Sequence, residues 1–192
     1  MKENINKGLI AKTMDWAYGK ALSGFGGVDS AYTLADSYMA EKGTLDQQID
    51  SLIRWQTAKA AASGFTLGLG GLMTMPLTVP VNVASVIYMQ IRMITAIAHM
   101  GGHDVNSDKV RSMVYICMVG NGAKELLKDI GLKVGEKLAL KVAAKLTEKS
   151  MSSLAKALPI AGGVVGASFD AVTTRIVGKV AKKIFIEDKG EL

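Results

Sequence analysis

A-A-A-S-G-F-T-L-G-L-G-G-L-M-T-M-P-L-T-V-P-V-N-V-A-S-V-I-Y-M-Q-I, residues 60–91, runs for 32 residues without a charged side chain. A stretch of ~18 apolar residues is enough to span a bilayer. Gly68, Gly70, Gly71, Pro76 and Pro80 interrupt this one, so it does not read as one continuous transmembrane helix. Two readings follow: two helices meeting at a Gly/Pro elbow inside a protein core, or a hairpin that enters lipid. Which holds decides the fold and the place of action.

The rest of the chain keeps both readings open. Its apolar set is 49% of 192 residues, with 21 glycines besides, and its mean hydropathy is +0.24. With glycine counted and tyrosine left out the apolar share is about 57%, against ~45–50% for ordinary globular domains, and the hydropathy points the same way. Aromatic residues make up only 6%, and the abundant small residues let helix backbones approach closely. The single cysteine, Cys117, excludes an internal disulfide. The opening M-K-E-N-I-N-K-G-L-I-A-K has no apolar run of secretory-signal length, so the expected location is cytoplasmic.

Working outward, helical periodicity recurs and strand alternation does not. Residues 4–22 carry Ile5, Leu9, Ile10, Met14 and Ala17 on one side, and G-F-G-G at 24–27 stops that helix. A second helix is expected from Asp29 or Ser30 to Gly43. Thr44 and Gln47 form a capping box for a third, which runs into Gly64. Val81–Met100 reads as a long helix apolar around most of its circumference, central in a core or in a membrane. Gly101-Gly102 ends it, and Asn106, Ser107 or Asp108 caps the next, which stops near Gly120. The predicted fold class is all-α: a single-domain bundle of about seven helices around two apolar Gly/Pro-rich segments. Residues 1–43 are expected as N-terminal helices packing on the core, 44–186 as the main helical domain and 187–192 as a polar tail.

Charge is uneven. Residues 1–123 carry 10 basic and 9 acidic side chains, whereas residues 124–192 carry 13 and 8. The excess lies in a ladder that includes Lys133, Lys137, Lys141, Lys145 and Lys149. Steps of four advance about 40° each around a helix axis, so the lysines form a slowly winding stripe opposite Leu132, Leu138, Val142 and Leu146. A solvated face over a core is the plain explanation. The sharper one is a helix lying on anionic lipid with its lysine stems snorkelling. Without aromatics for stacking or arginines for base edges, nucleic acid ranks well below lipid as a partner.

A second apolar block, A-L-P-I-A-G-G-V-V-G-A-S-F at 157–169, follows. Both blocks contain G-x-x-x-G, at Gly64/Gly68 and Gly162/Gly166, a pattern that permits close helix packing or homo-oligomerisation. Arg92 is the only formal charge between Lys59 and Asp104. Buried, it would need a partner, and Asp170 is the candidate if the two blocks pack together, with Arg175 next along. Arg92 at a helix surface reaching water is the equal alternative.

The order and spacing of several segments resemble the EcsC family of bacterial proteins over roughly residues 45–186. The matching pieces are G-F-T-L-G-L-G-G-L at 64–72, P-x-x-x-P at 76–80, Q-I-R-M-I-T-A-I-A-H-M-G-G-H-D at 90–104, D-K-V-R-S at 108–112, and P-I-A-G-G-V-V-G-A-S-F-D-A-V-T-T-R-I-V-G at 159–178. Asn82 departs from the family, which often has Asp after the second proline; an amide keeps the hydrogen bonds but not the charge. The resemblance implies an all-helical, membrane-associated protein without an established enzymatic activity.

No catalytic set, metal site or cofactor motif is expected. His99 and His103 are separated by two glycines, and with Asp104 they read as satisfied turn residues rather than ligands. Cys117 lies in an apolar setting that makes a thiol inert. The phosphate-binding G-x-x-x-x-G-K-[ST] and the nucleophile elbow G-x-S-x-G are both absent. Three functions remain. The first is a non-enzymatic protein bound to the cytoplasmic membrane peripherally or by partial insertion, through anionic lipid or a membrane protein, as an accessory to transport or secretion. The second is a membrane-permeabilising effector, and the third a soluble binder or enzyme for an apolar ligand.

Overall fold

The glycine cluster that closes the first helix shows how locally this chain is punctuated. In the computed structural model, which describes residues 7–63, 81–119 and 167–188, α1 spans Lys7–Ser23. Gly24, Gly26 and Gly27 then take positive φ angles of 80°, 61° and 76°. A Cβ on Gly24 would sit 3.0 Å from the Val28 carbonyl oxygen, so this turn needs glycine sterically as well as conformationally. Phe25 and Val28 exchange two backbone hydrogen bonds of 3.0 Å across it. The Phe25 ring packs edge-on against Trp16 and Tyr88, at centroid distances of 5.2 and 6.0 Å.

Helix α2 spans Ala31–Met39. Its N-cap is Ser30, whose hydroxyl accepts the Thr33 N–H at 3.1 Å. The helix ends four residues before Gly43, and a side chain from the next helix is the reason. Nε2 of Gln48 donates to the carbonyls of Met39 and Glu41 at 3.1 and 2.8 Å, satisfying acceptors that a continuing helix would have used. Gly43, at φ 127°, closes the turn rather than the helix. The capping box forms: the Thr44 N–H donates to Gln47 Oε1 at 3.0 Å, and the Gln47 N–H donates to the Thr44 hydroxyl at 3.3 Å. Helix α3 then runs over Leu45–Ser63.

Helix α4 spans Val81–Met100 and is the axis of the bundle. It packs against α1, α2 and α3, against α5 (Asp108–Val119), and against α6 (Ala167–Lys182). Its side chains from Val83 to Ala98 are buried without exception. The long apolar helix is therefore core over its described length. Gly101 follows because Phe185 and Ile186 lie against it: a Cβ there would be 2.9 Å from Ile186 Cδ1 and 3.0 Å from the Phe185 carbonyl. Ser107 caps α5, accepting the Val110 N–H at 3.3 Å. Tyr18 ties α1 to the α4–α5 turn by donating to the Val105 carbonyl at 2.6 Å.

Helix α6 sits between α3 and α4 and continues into a π-helical turn, Lys183–Glu187, that buries Ile184 and Phe185. Lys182 meets Asp46 and Asp50 at the start of α3, and Gly178 meets Ile53, so α6 runs antiparallel to α3. Gln90 meets Thr173 and Thr174, and Gly101 meets Phe185, so α6 runs parallel to α4. The architecture is an all-α bundle with six helices among the described residues, whose only β feature is the Phe25–Val28 bridge. The Gly/Pro elbow at 64–80, the lysine ladder, and Gly64, Gly68, Gly162 and Gly166 lie outside the described residues.

Candidate functional site

Arg92 and Asp170 are both buried, at 5% and 1% exposure, but they do not pair. Arg92 points from α4 toward α2, where its Nε donates to the Asp29 carbonyl at 2.5 Å. Burial works against its charge, and the Tyr88, Asp29 and Tyr38 side chains favour it. A backbone carbonyl thus fills the role that the sequence assigned to the Asp170 carboxylate. Arg175 is exposed rather than buried. It stands one residue, about 100° of helix rotation, beyond the inward-facing Thr174, which carries it off the core.

Asp170 lies in the first turn of α6, where the helix dipole favours a negative charge. Burial opposes this and raises the carboxyl above its ordinary value. Its Oδ1 has no hydrogen-bond partner among the described residues. One turn on, Nε2 of Gln90 donates to the hydroxyls of Thr173 at 3.0 Å and Thr174 at 3.3 Å. Gln56 is also buried, with both side-chain polar atoms unpartnered. The register set by Gly178–Ile53 places it opposite Arg175, one residue from Thr174. A polar seam thus runs inside an otherwise apolar α3–α4–α6 layer, and the sequence reading did not foresee it.

His99, His103 and Asp104 line one shallow depression of about 270 Å³ with Tyr32, Gly102, Val105 and Asn106. Each has a local partner. His103 Nε2 lies 2.7 Å from the Phe185 carbonyl. The His99 ring meets Tyr32 edge-on at 5.0 Å. Asp104 Oδ1 accepts the Asn106 N–H at 3.0 Å. His99 thus lies in the last turn of α4 and His103 and Asp104 in the turn that follows, and the chain gathers all three around one depression. Among the described residues no group of three or more His, Cys, Asp or Glu side chains is placed to hold a metal ion. Cys117 is wholly buried, and burial pushes its thiol far above the ordinary range, which denies it nucleophilic character.

A groove of about 500 Å³ lies between α3 and α6, lined by Asp50, Ile53, Arg54, Thr57, Arg175 and Lys179. Antiparallel packing sets Arg54 and Thr57 on one wall and Arg175 and Lys179 on the other. Gly178 makes the close approach of the two helices possible. A Cβ on it would lie 3.0 Å from both γ carbons of Ile53 and 3.2 Å from Met93 Cε.

Comparison with protein-family models, with curated proteins and with solved structures gives no match for this chain.

Proposed function

We propose that the chain is a non-enzymatic, EcsC-like bacterial protein that attaches peripherally to the inner face of the cytoplasmic membrane, as an accessory to a membrane transport or secretion system. The lysine ladder carries this reading. Residues 120–166 hold eight lysines against four acidic side chains. Near an anionic surface each basic residue contributes ~1 kcal/mol of attraction. The helical bundle supports the peripheral form of the idea. Val83–Met100 is long and apolar enough to cross a membrane, but 94% of that window is buried inside the bundle. Inserting it would mean stripping α4 of five neighbouring helices.

The test is co-sedimentation with vesicles containing phosphatidylglycerol. Binding at low salt should fall steeply by ~0.5 M salt, because exposed charges are screened over a few ångströms there. A Lys137→Gln, Lys141→Gln, Lys145→Gln variant should bind more weakly at every salt concentration. Wild-type protein left in the supernatant at low salt would sink the proposal.

A further inference from the structure

The α3–α6 groove has a composition that its structural role does not require. We infer that it is a binding site for a phosphate-bearing anion, either a soluble phosphomonoester or a lipid phosphate head group, held by Arg54, Arg175 and Lys179. The inference rests on the groove alone and not on the lysine ladder.

Three observations carry it. First, the described residues leave the positive charge in the groove uncompensated. Among the described residues Asp50 is the one acidic side chain lining it, and its Oδ1 lies 2.7 Å from Lys182 Nζ, which occupies that carboxylate near the α3 N-terminal end. Arg175 and Lys179 form no ion pair with any described residue. They sit four apart on α6, where like charges repel by a few tenths of a kcal/mol. A bound anion would turn that repulsion into shared attraction.

Second, the donors suit phosphate. An arginine fork offers paired N–H groups matched to phosphate oxygens, and the groove presents one from each wall. Lys179 adds a point charge. The Thr57 hydroxyl, buried without a hydrogen-bond partner among the described residues, adds a neutral donor. Three cations suit a phosphomonoester of about −1.5 to −2 charge better than a singly charged carboxylate.

Third, the space fits. A recess of about 500 Å³ falls within the ~300–1,000 Å³ typical of small-molecule sites.

Isothermal titration of the full chain with inorganic phosphate, glycerol 3-phosphate and short-chain phosphatidic acid below its micelle concentration tests the site. Wild type should bind at least one of these. The Arg175→Gln, Lys179→Gln variant should bind ~10-fold more weakly or worse, the scale expected for lost charge-assisted hydrogen bonds. Both side chains are exposed, so this variant should keep the wild-type circular dichroism and melting midpoint. A charge-matched Lys12→Gln, Lys42→Gln control should bind like wild type. So should the lysine-ladder variant, which separates this site from the membrane proposal. Binding of the two soluble phosphates as tight as that of the lipid identifies a phosphorylated metabolite; binding of the lipid alone identifies a head group. Heat from none of the three at ~1 mM ligand, or equal weakening in groove and control variants, would overturn the assignment.

Discussion

Gly178 and Ile53 are in backbone-to-side-chain contact: a Cβ on Gly178 would sit 3.0 Å from both Cγ1 and Cγ2 of Ile53. Those atoms are fixed on a β-branched side chain, so they cannot swing clear. The α3–α6 spacing is therefore set by the absence of a side chain at 178.

Substitutions at 178 should separate two opposing effects. Gly178→Ala gains about 1 kcal/mol of helix propensity and spends it on the crowding of Ile53 and Met93, leaving stability within ~1 kcal/mol of wild type. Gly178→Val adds two methyl groups to a filled interface and should cost ~1–3 kcal/mol. Urea denaturation of the three proteins reads both values. A valine variant as stable as wild type would mean α3 and α6 can slide apart freely.

Lys182 holds the other end of the same helix pair. Its Nζ lies 2.7 Å from both Asp46 and Asp50, with its side chain only 12% exposed. Burial alone would lower its pKa, but the two carboxylates outweigh that and the net shift is upward. A raised lysine pKa contributes stability that is complete below the ordinary value of 10.5 and is lost as pH rises through the native value. Lys182→Met should therefore lower stability by ~1–2 kcal/mol at neutral pH. The gap from wild type should narrow above about pH 10.5. A gap unchanged into strong alkali would assign the cost to packing instead.

Asp170 has the opposite sign. Because burial raises its native pKa, the folded chain keeps this proton to higher pH than the unfolded chain does. Its contribution to stability falls as pH rises from the ordinary value of 3.8 through the native one. Asp170→Asn keeps the shape and removes the charge. Its melting midpoint should exceed wild type at neutral pH, with the advantage closing as pH falls toward about 4. A variant that melts below wild type at neutral pH would show that the carboxylate is stabilised in the folded state.

The legible parts of this fold were those coded by neighbours in sequence. Ser30, the Thr44/Gln47 box and Gly101-Gly102 each act within a few residues of themselves, and the helices begin or end there. The end of α2 was not legible, because its cap is Gln48 on the following helix. Arg175 was misplaced because an apolar block read as a run hides which residues share a face; only the packing of α6 shows that Asp170 and Thr174 turn inward and Arg175 outward. The α3–α6 groove could not be read at all. Arg54 and Arg175 are 121 positions apart and come to line one groove only through antiparallel packing. Gly178 stood in the sequence as one glycine among 21, with nothing local to single it out.

The parallel alignment of α4 and α6 has a consequence for synthesis. The side of α4 that carries Gln90 and Met93 is covered by a helix encoded 66 residues further on. At ~5–20 residues per second of translation, that side stays open for roughly 3–13 seconds after α4 leaves the ribosome. During this interval the nascent chain presents α4, the most apolar of the described helices, with one flank bare, to whatever chaperone or lipid surface stands nearest.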